Sequence, residues 1–190
     1  MQKLLEIRWH GRGGQGAKTA ATFLAEAVLG AGKYSQGFPE YGPERMGAPM
    51  KGFTRISDEP IKHHCGIYTP DVVVVLDPSL LDTVDVTEGL AENGIIIVNT
   101  GKCPADIRKK LGLKGRKVCT VDATKISLEE FGRPIPNTPM IGALIRLTGI
   151  LDLDTIIEDI KRKFAKKFSE KIVEGNINSI KRGYREVEIE

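Results

Sequence analysis

The sequence has few cysteines, and they do not form the pairs that hold metals or clusters. Cys65, Cys103 and Cys119 are its three cysteines, widely spaced and without a C-x-x-C motif. An iron–sulfur cluster usually takes four thiolates, so the chain cannot easily bind one alone. The odd number, in a chain with no export signal, predicts reduced thiols. If the protein takes part in redox chemistry, we expect the electron carriers on other chains.

Long apolar runs and a strong charge of one sign are also missing. No run approaches the roughly 20 apolar residues of a membrane span, and the N-terminus lacks the basic and apolar segments of a signal peptide. We therefore expect a cytoplasmic protein without membrane contact. The net charge of +3 is mild and does not favour a nucleic-acid partner. With 190 residues, 41% of them apolar, the chain suits one α/β domain over residues 1–190.

The most informative stretch is 6–32, which predicts a strand, a tight turn and a helix. A short apolar segment precedes four glycines within six residues, and an alanine-rich run with helical spacing follows. Glycines let the backbone approach a ligand closely, and the first N–H groups of a helix point at an anion. Two interpretations stay open: a turn that binds an anion, or glycines that only pack the turn against a sheet.

The chain after this helix predicts alternating strands and helices. Strands are predicted at 34–38, 51–56, 61–65, 71–77, 94–98 and 117–122, and helices from 79, at 86–92, 104–111, near 131, and at 140–148, 152–168 and 169–185. Two proline-rich stretches, 39–49 and 132–139, predict loops. The alternation predicts an α/β fold, Rossmann-like, with a mostly parallel sheet, helices on both faces and a C-terminal helical segment.

Two local details extend this prediction. The strands at 51–56 and 61–65 are expected to pair around the turn at 57–60. Ser127 and Glu130 have the spacing of a capping box for the helix near Phe131.

Polar residues follow three of the predicted strands. His10, Asp77 and Asn99 stand at these strand ends. Ligands of such sheets bind beyond the carboxyl ends of the strands, so we expect the glycine turn, the 99–101 turn and the first proline-rich loop to share one edge. His10 could handle a proton or contact a ligand there, but packing is the favoured interpretation.

Two nucleotide motifs nearly match the glycine turn but fail. Gly11 and Gly16 have the spacing of a P-loop, but Lys18 comes one residue late, which rotates its side chain by roughly 100°. The dinucleotide fingerprint needs an acidic residue about 20 positions further on, where Gln36 stands. A phosphate or pyrophosphate on the turn stays compatible with the sequence. Its candidate charge partners are Arg12, Lys18, Arg45 and Lys51.

The sequence gives little support for a metal site or for a catalytic triad. His63, His64 and Cys65 are adjacent, but neighbouring residues of a strand face opposite ways and do not chelate one ion easily. No serine or cysteine elbow accompanies a histidine at a predicted strand end. We expect neither a metal site nor a catalytic residue in this chain.

Four stretches, in this order along the chain, resemble one known family: His10–Gly16, Gln36–Pro49, Asp71–Pro78 and Pro136–Ala143. They are similar to the gamma subunit of the thiamine-dependent 2-oxoacid:ferredoxin oxidoreductases, such as the pyruvate or 2-oxoisovalerate enzymes. The resemblance covers essentially the whole chain, and the 36–49 loop is its most specific part.

The resemblance implies one subunit of a complex that decarboxylates a 2-oxoacid, with pyruvate as the expected substrate. The acyl group would pass to coenzyme A and the electrons to ferredoxin. Partner alpha, beta and delta subunits would hold thiamine diphosphate, magnesium and 4Fe–4S clusters, none of which this chain would bind alone. It would be inactive alone, and it could form a homodimer when isolated.

The resemblance also implies that this chain contributes to the coenzyme A site and closes the active site. The phosphates would contact the glycine turn and Arg45, and Asn99 and Thr100 would bond the adenine or ribose. The residues expected at coenzyme A are Gly11, Arg12, Gly13, Gly14, Gln15, Gly16, Arg45, Gly47, Asn99 and Thr100; those expected at partner subunits are Glu40, Tyr41, Asn137 and Thr138. Two alternatives remain: an architectural subunit without ligand contacts, and a stand-alone nucleotide-binding module.

Overall fold

The computed structural model describes residues 4–40 and 47–190. The strands within these ranges are β1 Leu5–Arg12, β2 Tyr34–Glu40, β3 Pro49–Ser57, β4 Val72–Val75, β5 Ile95–Asn99, β6 Lys117–Val121 and β7 Glu188–Ile189. The helices are α1 Ala17–Gly30, α2 Pro104–Leu111, α3 Ala123–Phe131, α4 Asn137–Thr148, α5 Leu153–Phe164 and α6 Glu170–Glu186. None of these helices is long and apolar enough to cross a membrane.

All seven strands form one sheet in the order β2-β3-β1-β4-β5-β6-β7. Strands β1, β4, β5 and β6 pair in parallel, whereas β3 runs antiparallel to both β1 and β2, and β7 to β6. Among these seven strands, β3 and β7 therefore run against the rest. The predicted α/β class with a mostly parallel sheet is confirmed.

Both faces of the sheet are covered. Helices α1, α3, α4, α5 and α6 contribute to the larger core on one face, around the buried Trp9, Ile97 and Leu144. Helix α2 and the turns after β4 cover the other face through Ile107 and Leu80. Because β4 and β5 are buried on both sides, their sequences are continuous β-branched runs rather than alternating ones.

Helix α1 packs unusually close to the antiparallel end of the sheet. A Cβ atom placed on Gly37 of β2 would lie 2.7 Å from the carbonyl oxygen of Ala21, and one on Gly52 of β3 would lie 3.1 Å from that of Ala17. Thr54 of β3 links the layers, since its hydroxyl accepts from Trp9 Nε1 and donates to the Ala21 carbonyl, both at 3.0 Å. These contacts fix the position of α1 over the sheet.

Helices α4 and α6 also meet through glycines. A Cβ atom on Gly142 would collide with the carbonyl oxygen of Ile180, and one on Gly183 with that of Pro139. The two helices therefore pack backbone to backbone, which leaves no room for side chains at either crossing.

Several predicted elements were wrong. Residues 61–65 form no strand, because β3 already pairs with β1 and β2; Arg55 Nη2 instead bonds the Gly66 carbonyl at 3.0 Å and ties this coil to the sheet. Residues 86–92 form turns rather than a helix, with Gly89 in the left-handed region at φ 68°.

The helix caps also differ from the prediction. Asp122, not Ser127, caps α3 by accepting from the Lys125 N–H at 3.0 Å, and Ser127 lies inside the helix with its hydroxyl at the Ala123 carbonyl. The predicted helix from 79 is a 3-10 turn, Pro78–Asp82, capped by Asp77.

The remaining differences concern element ends. Helix α4 begins at Asn137, within the second predicted loop, and α5 ends at Phe164 rather than at 168. Strands β2 and β3 run into the first predicted loop from both sides, and its residues 41–46 lie outside the described ranges. The short strand β7 was not predicted.

His10 is packed inside the fold, as the favoured interpretation had it. The residue is 2% exposed, and its Nε2 accepts from Arg8 Nε at 3.0 Å. Arg8 is itself buried and donates to the carbonyls of Val86 and Glu88. Burial, and then the charges of Arg8 and Lys51, lower the pKa of His10 to about 3. His10 is therefore a neutral acceptor at physiological pH.

This buried pair predicts a pH dependence of stability. The folded-state pKa of His10 lies below the unfolded value of about 6.5, so protonation favours the unfolded chain. Its contribution is complete above that value and is lost as the pH falls towards about 3. The free energy of unfolding should therefore fall more steeply with acidification in the native protein than in His10→Gln, whose amide oxygen can accept from Arg8 without titrating. Equal slopes in urea melts from pH 7 to 4 would contradict this.

The glycine crossing of α4 and α6 predicts a large loss of stability for Gly183→Ala. The added methyl group must push the two helix backbones apart, which we expect to lower the free energy of unfolding by about 2 kcal/mol or more. Gly30→Ala is the control, because its nearest atom would be 3.8 Å away and alanine favours the helix. Chemical denaturation measures both. A Gly183→Ala protein as stable as the control would refute the backbone contact.

Candidate functional site

The glycine turn lies where β1 ends and α1 begins. Strand β1 continues through Gly11 and Arg12, so the turn proper is shorter than predicted and spans 13–16. Gly11 is packed inside, where an added Cβ atom would lie only 3.1 Å from the Ala17 side chain. Gly14 and Gly16 have φ values of 95° and 84°, which side-chain-bearing residues rarely adopt. Glycine is thus required here by backbone conformation.

Some backbone donors of the turn are used within it and others are not. The Gln15 N–H is used inside the turn, at 3.2 Å from the Arg12 carbonyl, and the Arg12 N–H bonds Gln15 Oε1 at 2.8 Å. Within the described part of the chain, the N–H groups of Gly13, Gly14 and Gly16 have no hydrogen-bond acceptor. No side chain caps α1, whose N-cap is Gly16. Such donors at a helix start suit an anion.

A polar cluster clamps this turn onto the end of β4. Gln15 Nε2 donates to Asp77 Oδ2 at 2.7 Å, and Arg12 Nε lies 3.2 Å from the same oxygen. Arg12 Nη2 also donates to the Ser79 hydroxyl at 3.0 Å. Burial would raise the pKa of Asp77, but bonds from Ser79 and Gln15 and the charge of Arg12 outweigh it and lower the pKa. The clamp fixes the turn, and Asp77 offsets the charge of Arg12.

The first proline-rich loop returns to the glycine turn at its far end. Arg12 Nη1 donates to the Gly47 carbonyl at 3.0 Å, so Gly47 lies beside the turn as predicted. Glu40 ends β2 opposite Lys51 and is exposed. The predicted Tyr41 and Arg45 lie outside the described residues.

Asn99 and Thr100, at the end of β5, are not part of the polar cluster at the glycine turn. Asn99 Nδ2 donates to the Leu76 carbonyl and to the Thr124 hydroxyl, both at 2.8 Å, and its Oδ1 accepts from the Thr124 N–H. Asn99 therefore locks the ends of β4 and β5 to α3. Thr100 lines a separate hollow of about 300 Å³ with Asp122 and Lys125. The Asn99 side chain thus makes its hydrogen bonds within the fold. Thr100 lines a hollow that is separate from the glycine turn.

Asn137 and Thr138, predicted as subunit contacts, line a cleft that continues from the glycine turn. The cleft has a volume of about 460 Å³ between α1, the start of α4, the end of α5 and the start of α6. Asn137 lies against Gly16, where an added Cβ atom would be 2.7 Å from its amide nitrogen. Thr138 is buried and donates to Asn176 Oδ1 at 2.9 Å. Both residues thus face this cleft.

Sequence reasoning missed the rest of this cleft. Its walls include Phe23, Ile135, Phe164 and Phe168, which come from three separate stretches of the chain. One signal was available, because four cleft residues of α1 recur at the i, i+3, i+4, i+7 spacing of a helix face. They are Thr19, Thr22, Phe23 and Glu26.

Redox-active or metal-binding groups are not assembled in the described residues. No set of three or more His, Cys, Asp or Glu side chains is placed there to hold an ion. Cys65 and Cys103 are exposed and free, and Cys119 is buried. Burial raises the pKa of the Cys119 thiol to about 12, so it stays protonated and unreactive.

Comparison with known proteins identifies the family. The pyruvate ferredoxin/flavodoxin oxidoreductase family model matches residues 6–186. The pyruvate/ketoisovalerate oxidoreductases common subunit gamma of Pyrococcus furiosus is 50% identical over 186 residues, which cover 98% of each chain. The crystal structure of pyruvate oxidoreductase subunit PORC from Thermotoga maritima superimposes with a TM-score of 0.88 at 51% identity, covering 98% of each chain.

A more distant structure shares the fold. The 2-oxoglutarate:ferredoxin oxidoreductase from Magnetococcus marinus, solved with 2-oxoglutarate, coenzyme A and succinyl-CoA bound, matches with a TM-score of 0.77 at 23% identity over 97% of this chain and 31% of its own. The proteins from Pyrococcus furiosus and Thermotoga maritima, each about half identical to this chain, match it over almost their entire length. The chain therefore belongs to the pyruvate ferredoxin/flavodoxin oxidoreductase family and is a gamma-type subunit of a 2-oxoacid oxidoreductase complex.

Proposed function

We propose that this chain holds coenzyme A for a complex that oxidatively decarboxylates a 2-oxoacid, with pyruvate as the expected substrate, and that it helps to close the active site. Acyl-CoA is the product, and the electrons pass to ferredoxin. Alpha, beta and delta subunits carry thiamine diphosphate, magnesium and 4Fe–4S clusters. The chain acts in the cytoplasm as one domain of residues 1–190 and is inactive alone.

One observation carries the coenzyme A proposal: the N–H groups of Gly13, Gly14 and Gly16 at the start of α1 have no acceptor in the described part of the chain. Coenzyme A has a diphosphate and a 3′-phosphate, and backbone donors at a helix start are suited to such groups. The distant relative from Magnetococcus marinus was solved with coenzyme A bound, which supports the choice of ligand. Arg45, two positions before Gly47 in the sequence, supplies the further positive charge.

This chain contributes to the reaction by positioning coenzyme A. The clamp of Arg12 and Gln15 on Asp77 sets the turn before any ligand arrives, so little order has to be gained on binding. Holding the phosphates of coenzyme A orients the thiol end for the acyl transfer on partner subunits. No residue of this chain is assigned a bond-making role.

The choice of 2-oxoacid belongs to other subunits. The relative from Pyrococcus furiosus is a subunit common to pyruvate and ketoisovalerate oxidoreductases. A subunit shared by two enzymes cannot carry the contacts that distinguish their substrates. By extension, the residues that select the 2-oxoacid lie outside this chain.

Gly13→Ala tests the turn as a phosphate site. Gly13 does not have a positive φ, and among the described residues a methyl group there would meet the Gly47 nitrogen at an ordinary 3.5 Å. The fold should therefore keep its melting temperature, whereas a bound phosphate would be pushed away. We expect the coenzyme A dissociation constant of the assembled complex to rise roughly tenfold by calorimetry. Gly30→Ala is the control, and equal affinity in both variants would exclude phosphate contact at the turn.

Arg45→Ala separates a ligand-holding subunit from an architectural one. Loss of one phosphate-binding guanidinium should weaken coenzyme A binding about tenfold or more while the complex still assembles. Arg185→Ala removes the same charge from the exposed end of α6 and should change nothing. Unchanged affinity in a fully assembled Arg45→Ala complex would favour the architectural alternative. Binding of ATP or NAD to the isolated chain would favour the stand-alone module.

A further inference from the structure

Strand β2 forms an open edge of the sheet. It is the first strand in the sheet order, and within the described ranges its seven residues pair with β3 alone. Natural edge strands are usually protected from pairing by charges, prolines, bulges or short length. From Tyr34 to Phe38 the strand has no charged residue and no proline, and its register with β3 has no bulge. Unlike β7 at the opposite edge, which has only two residues, β2 is therefore open to a further strand.

The hydrogen-bond pattern of the sheet determines which residues of β2 point outward. The carbonyls of Glu6 and His10 in β1 accept from the residues on either side of β4, at 2.9 and 2.8 Å. Because successive residues of a strand bond to opposite sides, the residues between these two alternate between β3 and β4. The unbroken β1–β3 and β2–β3 registers carry this alternation to the edge, where the N–H and carbonyl groups of Ser35 and Gly37 point outward. Pro39 belongs to the same set, so its missing N–H costs no bond to β3.

An antiparallel copy of β2 centred on Gly37 fits these groups. In this register Gly37 lies opposite Gly37 of the copy, and Ser35 lies opposite Pro39. The outward N–H groups of Ser35 and Gly37 then each meet a carbonyl of the copy, and the proline is used only as an acceptor. The main chain of this edge is thus complementary to itself, as a two-fold interface requires.

The side chains of the same register are also compatible. Ser35 and Gly37 lie under α1, where the Ser35 hydroxyl donates to the Ala25 carbonyl at 2.6 Å, so their neighbours in the strand point to the other face. On that face the exposed Tyr34 lies opposite the exposed Glu40, and a phenol can donate to a carboxylate. Within this strand no like charges oppose each other across the axis.

Helix α1 would pack against its own copy on one face of the joined sheet. It lies over both β2 and β3, because Gly37 and Gly52 each approach one of its carbonyls. Its axis is therefore about half a strand spacing inside the edge, so the two α1 axes would lie about 10 Å apart, a distance typical of packed helices. Ala25, which lies over Gly37, is small enough for this approach. Leu29, one turn further along α1, is 59% exposed and would be covered.

We propose that β2 binds the β2 strand of a second copy of this chain, which joins the two sheets across a two-fold axis beside Gly37. This pairing goes beyond the coenzyme A proposal and does not depend on it. Phe23, which lines the cleft, precedes Ala25 by two residues and so lies roughly 160° away around α1. The cleft therefore stays open in the paired form.

A disulfide trap tests the register. Tyr34 and Glu40 would face each other across the axis, where the Cα atoms of a non-hydrogen-bonded pair are about 4.5 Å apart, a distance that a disulfide can span. Within one chain the two positions are about 20 Å apart along β2 and cannot be bridged. We expect mild oxidation to convert the full chain carrying Tyr34→Cys and Glu40→Cys into a covalent dimer. Each single variant, with the same native cysteines, is the control, and a double variant that forms no more dimer than the controls would overturn the proposal.

Leu29→Lys tests the helix contact. The change places a charge between the two α1 helices, so the dimer dissociation constant of the full chain should rise about tenfold or more in sedimentation equilibrium. Leu128→Lys is the matched control, because Leu128 is 47% exposed and lies on α3. Equal effects of the two variants would contradict the helix pairing. A native chain that is monomeric alone, with the amides of 35–37 protected from hydrogen exchange only in the assembled complex, would assign the edge to a partner subunit and overturn the proposal.

Discussion

The close approach of α1 to the antiparallel strands governs the candidate site. Gly37 leaves no room for a side chain under the helix and Gly52 leaves little, and Ala21 is bridged to Trp9 through the Thr54 hydroxyl. A helix held this tightly cannot shift along the sheet, so its first turn stays beside the end of β4. The Asp77 clamp then acts on a backbone that is already in place. Preorganised donors of this kind lose little entropy when an anion binds.

Much of the fold follows from local patterns. The helix 104–111 was predicted to the residue, with proline in its first turn and Gly112 after it, because caps and breakers act within a few positions. The failures are those that depend on distant partners. Whether 61–65 forms a strand depends on which neighbours β3 has already taken, and no local signal gives that. The β-strand signal at 61–65 was therefore overridden by tertiary context.

The site was predictable only in part, for the same reason. Glycine spacing located the turn, and the expectation that the first proline-rich loop shares its edge of the sheet agrees with the bond from Arg12 to the Gly47 carbonyl. The polar side chain at the end of β5 was predicted as a ligand contact, but its amide is consumed by the fold itself, because the sheet edge needs its own hydrogen bonds. The cleft could not be predicted, since its walls join segments more than a hundred residues apart, such as Phe23 and Phe168. Such a surface exists only after folding.

The most direct test of the account is a cryo-electron microscopy structure of the assembled complex with coenzyme A. The account predicts the diphosphate of coenzyme A within hydrogen-bond distance of the N–H groups of Gly13 and Gly14. A coenzyme A molecule whose phosphates are held wholly by other subunits, with the glycine turn facing only protein or solvent, would contradict it. In that case the turn serves packing, and the chain is an architectural subunit.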